Sequence, residues 1–183
     1  DALLVERLFP GLDVADAQQL ARQTMADPAM VDFNSGRIGP RSFYERMKQT
    51  WGWTLDYPAF KRLWCRIFYP MDGMQALMER LAGRVRLGLL SDTDPLHWSH
   101  ILTAWPWLRM FENPTLSYRA GTMKPDPAIY RLAAANVATP PAHCLYVDDL
   151  EDNVAAARAV GMTAVRFENP TRLEQTLADV NLL

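Results

Sequence analysis

The sequence of 183 residues predicts an α/β fold, in which a parallel β-sheet carries helices on both faces and a smaller helical unit precedes it. Two observations lead to this prediction. Before residue 83, apolar residues recur at the i, i+3, i+4, i+7 spacing of amphipathic helices; after it, short apolar strands alternate with helical segments. Pro70 and Gly73 lie in a turn-rich border, so we predict one unit at residues 1–69 and a second at residues 70–183.

Each helical segment near the N-terminus follows a residue that favours helix starts or turns. The predicted segments are residues 14–25 after Asp13, 43–47 after Ser42, 60–68 after Asp56 and, at the border, 74–81 after Gly73. Residues 34–40 between them have the composition of a turn, and Arg37 there could reach a polar group. Most of the aromatic residues of this unit are expected to pack inward; they are Trp51, Trp53, Tyr57, Trp64 and Tyr69.

In the second unit, strands and helices alternate along the chain. Aspartate followed by proline at Asp94-Pro95 and at Asp126-Pro127 is typical of an N-cap residue and the first helical position. The predicted elements are strand 84–90, a helix after Asp94, a short strand 115–118, a helix after Asp126, strand 144–147, a helix from 151 to about 161, and strand 163–167. This alternation indicates a parallel sheet.

Charge and cysteine content exclude several classes of protein. The net charge is −2, so no basic excess is present to bind a nucleic acid backbone. No apolar run approaches the ~20 residues that span a bilayer, so we expect no membrane partner. Cys65 and Cys144 lie far apart without a CxxC or a Cys/His cluster, which indicates reduced thiols, a cytoplasmic location and no zinc site.

Polar residues gather where the predicted strands end. Ser91 and Asp92 close the first strand, Asp148 and Asp149 close a later one, and Lys124 lies in the loop before the helix between them. Ligands of an open parallel sheet bind at these strand ends. Carboxylates suit Mg²⁺, while a lysine and a hydroxyl near a helix start suit phosphate. Each residue alone also has an ordinary structural role, such as capping or solvation, so the prediction depends on their joint order.

Three motifs carry a more specific resemblance. The segments Leu89-Leu90-Ser91-Asp92-Thr93, Gly121–Tyr130 and Tyr146–Asn153 resemble the second, third and fourth motifs of the haloacid dehalogenase-like hydrolase superfamily, in order and spacing. The resemblance implies a Rossmann-like parallel-sheet core with a small helical cap, formed here by residues 1–69. Asp92 departs from the pattern, since Asn is common at that position, and makes the phosphate pocket more acidic.

The resemblance also implies a mechanism through a phosphoaspartate. Ser91 and Lys124 would bind the phosphoryl oxygens, helped by the backbone N–H of Asp92. Asp149 would be the main Mg²⁺ ligand with Asp148 beside it, so that Ser91, Lys124 and Asp149 form the catalytic group. The implied substrate is a small phosphorylated metabolite, and exposed members of Trp98, Trp105 and Trp107 could mark a homodimer contact.

The first motif of the superfamily, a strand ending in Asp-x-Asp, is missing from the sequence. We expect this motif, and the first central strand that carries it, to lie upstream of Asp1. The alternative is a non-catalytic, regulatory protein that binds a phosphate ligand. Within the superfamily, a dehalogenase and a phosphomutase also remain open, but the Asp148-Asp149 pair favours a phosphatase because halide displacement needs no metal.

Overall fold

The computed structural model describes residues 27–52 and 54–183, so the predicted helix 14–25 and Trp53 lie outside the described residues. The helical unit contains α1 (Pro28–Asn34), α2 (Pro40–Trp51), α3 (Tyr57–Trp64) and a 3₁₀ turn (Cys65–Ile67). Asp27 and Asp56 cap α1 and α3, each accepting a hydrogen bond from a backbone N–H of the first turn. The helix α4 (Met74–Leu81) then begins directly after Gly73, as predicted.

Aromatic side chains form the core of the helical unit. Phe33, Phe43 and Phe60 are fully buried, and the rings of Phe33 and Phe43 stack with centroids 4.3 Å apart. Trp64 joins this cluster, and Trp51 and Tyr57 pack against it, as the sequence predicts. Tyr69 is also expected to pack inward, but its side chain is 70% exposed.

Two helices in this unit have other boundaries than predicted. The helix α2 begins at Pro40, because Gly39 takes the N-cap position and proline fits the first helical turn. The helix α3 ends at Trp64 rather than continuing to Phe68, because the chain tightens into the 3₁₀ turn, where Arg66 leaves helical geometry at φ −88° and ψ 21°.

The second unit alternates strands and helices. Its elements are β1 (Leu90–Ser91), α5 (Pro95–Ala104), a 3₁₀ turn (Pro106–Met110), β2 (Thr115–Leu116), α6 (Ser117–Ala120), α7 (Pro127–Asn136), a 3₁₀ turn (Pro141–His143), β3 (Leu145–Asp148), α8 (Glu151–Ala159), β4 (Thr163–Arg166) and α9 (Pro170–Asp179). The strand pairs in the described part of the chain are parallel, with β1 beside β2 and β3 beside β4. The predicted α/β fold is therefore confirmed.

The predicted strand 84–90 is mostly wrong, since only Leu90 and Ser91 form β1. A strand needs a neighbour to bond its backbone, and residues 84–88 have only the isolated bridge between Ala82 and Val85 among the described residues. Within the same part of the chain, β1 and β3 are not hydrogen-bonded to one another, so the sheet consists of two separate pairs.

The predicted strand 115–118 is also too long, because the chain turns into α6 at Ser117. The Ser117 hydroxyl donates to the backbone carbonyl of Thr93 at 3.0 Å and accepts from its N–H at 2.9 Å. This exchange ties the start of α6 to the loop that follows β1.

Among the described residues, the helical unit contacts the second unit near Gly36 and along α3. Gly36 lies against the backbone carbonyl of Tyr118. The Trp64 indole N–H donates to the buried carboxylate of Asp94 at 3.0 Å, and His97 Nδ1 lies 2.8 Å from the same carboxylate oxygen. The boundary at residue 70 stays a prediction. None of the helices in the described residues is long and apolar enough to span a membrane.

Candidate functional site

The candidate site lies where β1 and β3 end and where the loop before α7 approaches them. Ser91 is the last residue of β1, and Asp148 is the last residue of β3. Lys124 lies between α6 and α7, and its peptide bond to Pro125 is cis. The structure therefore draws the predicted residues from three separate segments of the second unit.

Lys124 connects the two strand ends. Its backbone N–H donates to Asp92 Oδ1 at 3.1 Å, and its ammonium group donates to Asp148 Oδ2 at 2.8 Å. The Lys124 side chain is 13% exposed and that of Asp148 is 7% exposed, so solvent screens this ion pair far less than a surface pair. The structure thus brings Asp92, Lys124 and Asp148 into direct contact.

Both carboxylate oxygens of Asp148 accept hydrogen bonds. Besides Lys124, the Tyr146 hydroxyl donates to Oδ2 at 2.5 Å, while the Asn153 amide and the Leu150 N–H donate to Oδ1 at 2.9 Å and 3.0 Å. Burial by itself would raise the pKa of Asp148, but these four donors together outweigh burial and lower the pKa to about 2. Asp148 is therefore a fixed, ionised anchor for the lysine.

The pKa values of the groups around Asp148 are raised, whereas that of Asp148 is lowered. Burial raises the pKa of Asp92, against the opposing effect of Lys124. Burial, followed by the hydrogen bond to Asp148, raises the pKa of Tyr146, so Tyr146 remains a neutral donor. Burial, followed by the charge of Asp148, raises the pKa of Tyr130 to about 12. The site thus combines the Lys124 ammonium group with several carboxylates, and the two neighbouring tyrosines, Tyr130 and Tyr146, are neutral.

Two predicted site residues keep their side chains open. The hydroxyl of Ser91, which is half-buried, has no hydrogen-bond partner in the described ranges. Asp149 is exposed; its backbone carbonyl accepts from Arg166 Nε at 3.1 Å, whereas its carboxylate contacts no donor in those ranges. Both residues are chain neighbours of the Asp92–Lys124–Asp148 cluster, and their side chains are available to a ligand.

The donor set fits a magnesium ion held mainly by other oxygens. Among residues 27–52 and 54–183, no group of three or more His, Cys, Asp and Glu side chains is arranged to enclose a metal ion. Mg²⁺ uses one or two protein carboxylates together with water and phosphate oxygens, so an enclosing group is not required. Asp149 supplies an open carboxylate of this kind, whereas Asp148 is already occupied by its four donors.

Sequence reasoning missed Tyr146 and Asn153, which help to hold Asp148. A signal for Tyr146 is present, because residues two apart on a strand share a face and Tyr146 precedes Asp148 by two. Arg37, by contrast, pairs with Asp32 at 3.1 Å.

Comparison with known proteins identifies the family of this chain. The model of a family described as haloacid dehalogenase-like hydrolase matches residues 37–161, which is more than half of the chain. The curated flavin mononucleotide hydrolase 1 of Arabidopsis thaliana is 31% identical over 61% of this chain and 46% of its own length. Phosphatase MT3486 of Mycobacterium tuberculosis is 32% identical over 60% of this chain and 48% of its own length. The chain spans about half the length of these curated relatives.

Solved structures share the fold at lower identity. A predicted HAD-like family hydrolase from Porphyromonas gingivalis has a TM-score of 0.78 and 22% identity, covering 99% of this chain and 90% of that one. A HAD family enzyme from Bacteroides thetaiotaomicron, in complex with magnesium and inorganic phosphate, has a TM-score of 0.71 and 22% identity over 83% of this chain and 80% of that one. The L-2-haloacid dehalogenase of Xanthobacter autotrophicus reaches 0.64 at 19% identity, covering 100% of this chain and 79% of that one. At these identities the likeness establishes the fold alone.

Proposed function

This chain belongs to the haloacid dehalogenase-like hydrolase family, and from that premise we propose that it provides the phosphate-binding and metal-binding residues of a Mg²⁺-dependent phosphatase for a small organic phosphomonoester. The observation that supports this proposal best is the position of Lys124, whose ammonium group is held by buried Asp148 beside the open side chains of Ser91 and Asp149. A cation and a hydroxyl at strand ends suit the oxygens of a phosphoryl group.

Each residue has a distinct part in this proposal. Lys124 and the Ser91 hydroxyl bind the phosphoryl oxygens, and Lys124 offsets the negative charge that develops on them during transfer. Asp148 keeps the ammonium group in place without contacting the substrate. Because the ammonium group is already positioned before substrate arrives, little reorganisation is needed during the reaction.

Asp149 is the residue that would hold the metal. A bound Mg²⁺ would neutralise charge on the phosphoryl group and help to orient it. The similarity to a Bacteroides thetaiotaomicron enzyme in complex with magnesium and inorganic phosphate supports this choice of ion. Two curated relatives named as a hydrolase of flavin mononucleotide and as a phosphatase support a phosphomonoester as the substrate class.

The attacking carboxylate is not among these residues. The aspartate that the resemblance implies as the nucleophile remains a prediction. The substrate, a small phosphorylated metabolite, together with the homodimer and the cytoplasmic location, also remains a prediction; the Arabidopsis relative is named as a chloroplast protein.

The test is Mg²⁺-dependent hydrolysis of p-nitrophenyl phosphate, measured for this chain and for the chain extended by its upstream coding sequence. In the active form, Lys124→Met should lower kcat/KM by about 10²–10³-fold, because a single preorganised charge contact to the transition state is worth this much. Asp149→Asn should raise the Mg²⁺ concentration needed for half-maximal rate by tenfold or more. Lys48→Met and Asp179→Asn are the matched controls and should leave both quantities within twofold.

Three outcomes would overturn the proposal. Hydrolysis independent of Mg²⁺, or unaffected by both variants, would show that Lys124 and Asp149 do not have these roles. Release of chloride from 2-chloropropionate without a metal would favour the dehalogenase. Mg²⁺-dependent binding of inorganic phosphate without turnover, in a chain that carries the first motif, would favour the non-catalytic alternative.

A further inference from the structure

A cavity of about 680 Å³ lies between the helical unit and the second unit, and none of its lining residues belongs to the candidate site. One wall comes from α3 and the following 3₁₀ turn, and the other comes from α5. Its volume lies within the range of roughly 300–1,000 Å³ that is usual for small-molecule sites.

The two walls of this groove differ in regularity. The second wall is one face of α5, since residues 96, 99, 100 and 103 follow the i, i+3, i+4, i+7 spacing. The first wall presents residues 59, 62 and 63 of α3 and residue 66 of the 3₁₀ turn that follows it. The groove is therefore formed between α5 and the C-terminal end of α3.

The rim of the groove is positively charged. Lys61, Arg62 and Arg66 line it, and no aspartate or glutamate of residues 27–52 or 54–183 does. Arg62 and Arg66 form no ion pair within the described ranges, unlike the following arginines: Arg37, Arg41, Arg46, Arg80 and Arg158. In a chain with a net charge of −2, this concentration of unpaired cations favours a negatively charged ligand.

The floor of the groove is neutral and largely apolar. Leu63 and Leu96 contribute to it, together with the thiol of Cys65, which lies 3.6 Å from the Leu96 carbonyl oxygen. Burial raises the pKa of Cys65 to about 11, and the charge of Asp94 acts in the same direction. The thiol is therefore protonated near neutral pH and adds no negative charge to the floor.

We propose that this groove binds a small organic anion whose apolar body contacts Leu63 and Leu96 and whose phosphate, sulfonate or carboxylate group is bound by Arg62 and Arg66. Guanidinium groups bind such oxyanions through paired hydrogen bonds. The hydroxyl of Ser99, on the opposite wall, supplies a further polar contact, whereas the Thr103 hydroxyl already donates to the Ser99 backbone carbonyl at 2.9 Å. Such a ligand contacts both walls at once.

The position of the groove gives such a ligand an effect on stability. Next to it, α3 and α5 are already joined, because Trp64 and His97 both contact the Asp94 carboxylate and their rings stack with centroids 5.2 Å apart. A ligand that bridges the same two helices adds to this junction. A compound that binds only the folded chain raises its unfolding temperature.

The experiment uses naphthalene-1,5-disulfonate, an aromatic dianion that a phosphatase cannot hydrolyse. Binding to the full chain is measured by titration calorimetry, and the unfolding temperature is measured with and without the probe. The double variant R62E/R66E removes the cations of the rim. The matched control R84E/R131E makes the same change in net charge at two exposed arginines outside the groove.

We expect the probe to bind and to raise the unfolding temperature, and we expect R62E/R66E to weaken binding by tenfold or more while R84E/R131E changes it by less than threefold. The neutral analogue 1-naphthalenemethanol should bind at least tenfold more weakly than the probe. Should R62E/R66E fail to fold, as judged by circular dichroism, R62Q/R66Q takes its place. Equal losses in both double variants, unchanged binding in the groove variant, or no binding to the unmodified chain would each overturn the proposal.

Discussion

Gly36 is the position at which a single added methyl group should be most disruptive. The residue lies in the turn after α1 with φ +72°, and a Cβ atom placed on it would lie 2.0 Å from the backbone carbonyl oxygen of Tyr118. No rotamer change relieves this overlap, since the atom that is met belongs to the backbone. Gly36→Ala therefore forces the turn and the segment around Tyr118 apart.

The loss of stability in Gly36→Ala has two parts, backbone strain and steric overlap. Gly52 separates them, because it has a similar φ of +67° but no atom within 4 Å of an added Cβ. Both substitutions lose about 1–2 kcal/mol for a left-handed backbone. Gly36→Ala adds an overpacking cost of about 1–3 kcal/mol. The gain from a less flexible unfolded chain is common to both variants and cancels in the comparison. We therefore expect Gly36→Ala to destabilise the fold by about 1–3 kcal/mol more than Gly52→Ala does.

Urea unfolding followed by circular dichroism measures both values. A shift of the midpoint at constant slope would show that stability alone has changed. Equal destabilisation by the two variants would refute the reasoning, because it would mean that the turn at Gly36 does not touch Tyr118 in solution.

Three further predictions concern buried polar contacts. Tyr146→Phe removes a donor to ionised Asp148 and should lower the free energy of unfolding by about 1.5–3 kcal/mol, measured by urea unfolding. Asp148 has a folded pKa of about 2 against an ordinary value of 3.8, so its contribution of about 2 kcal/mol is present above pH 4 and is lost as the pH falls towards 2. Unfolding of the metal-free chain between pH 2 and 7 should show this loss, and Asp148→Asn should not. Trp64→Phe removes a donor to buried Asp94 and should cost about 1–3 kcal/mol in urea unfolding.

Two substitutions serve as controls for these predictions. Tyr69 is 70% exposed, so Tyr69→Phe should change the unfolding free energy by less than about 0.5 kcal/mol. The Trp107 indole N–H has no hydrogen-bond partner in the described part of the chain, so Trp107→Phe should cost less than Trp64→Phe. If Tyr69→Phe lost as much stability as Tyr146→Phe, or Trp107→Phe as much as Trp64→Phe, the hydrogen bonds to Asp148 and Asp94 would not explain the loss.

Local signals along the chain predict much of the second unit. Aspartate before proline marks the starts of α5 and α7 correctly, since the carboxylates of Asp94 and Asp126 cap the first turns. The same type of signal occurs at Asp27-Pro28 and Asn169-Pro170, and it identifies α1 and α9, which the sequence analysis did not assign. The apolar pattern wrongly predicts a strand over residues 84–90. A strand requires a hydrogen-bonded neighbour, and the local sequence does not show whether one is present.

The candidate site is only partly predictable for a similar reason. The order of Ser91, Lys124 and Asp148-Asp149 indicates that their loops converge, and the structure brings Lys124 into contact with Asp92 and Asp148. The sequence does not reveal which acid of the pair faces the lysine. Neighbouring residues at a strand end point in opposite directions, and tertiary packing decides which direction leads inward.

The balance of charge at the site explains why a cation and a phosphate would have to bind together. Three carboxylates, those of Asp92, Asp148 and Asp149, face two cations, the Lys124 ammonium group and the Arg166 guanidinium that donates to the Asp149 carbonyl. The ionised site therefore carries more negative than positive charge. A phosphate dianion would be repelled by this surplus, and the buried environment strengthens the repulsion. A divalent ion at Asp149 would remove the surplus and leave Lys124 free to offset the charge of the phosphate. Inorganic phosphate should therefore bind at least tenfold more tightly with Mg²⁺ than with a chelator, and titration calorimetry would refute this argument by giving equal affinities.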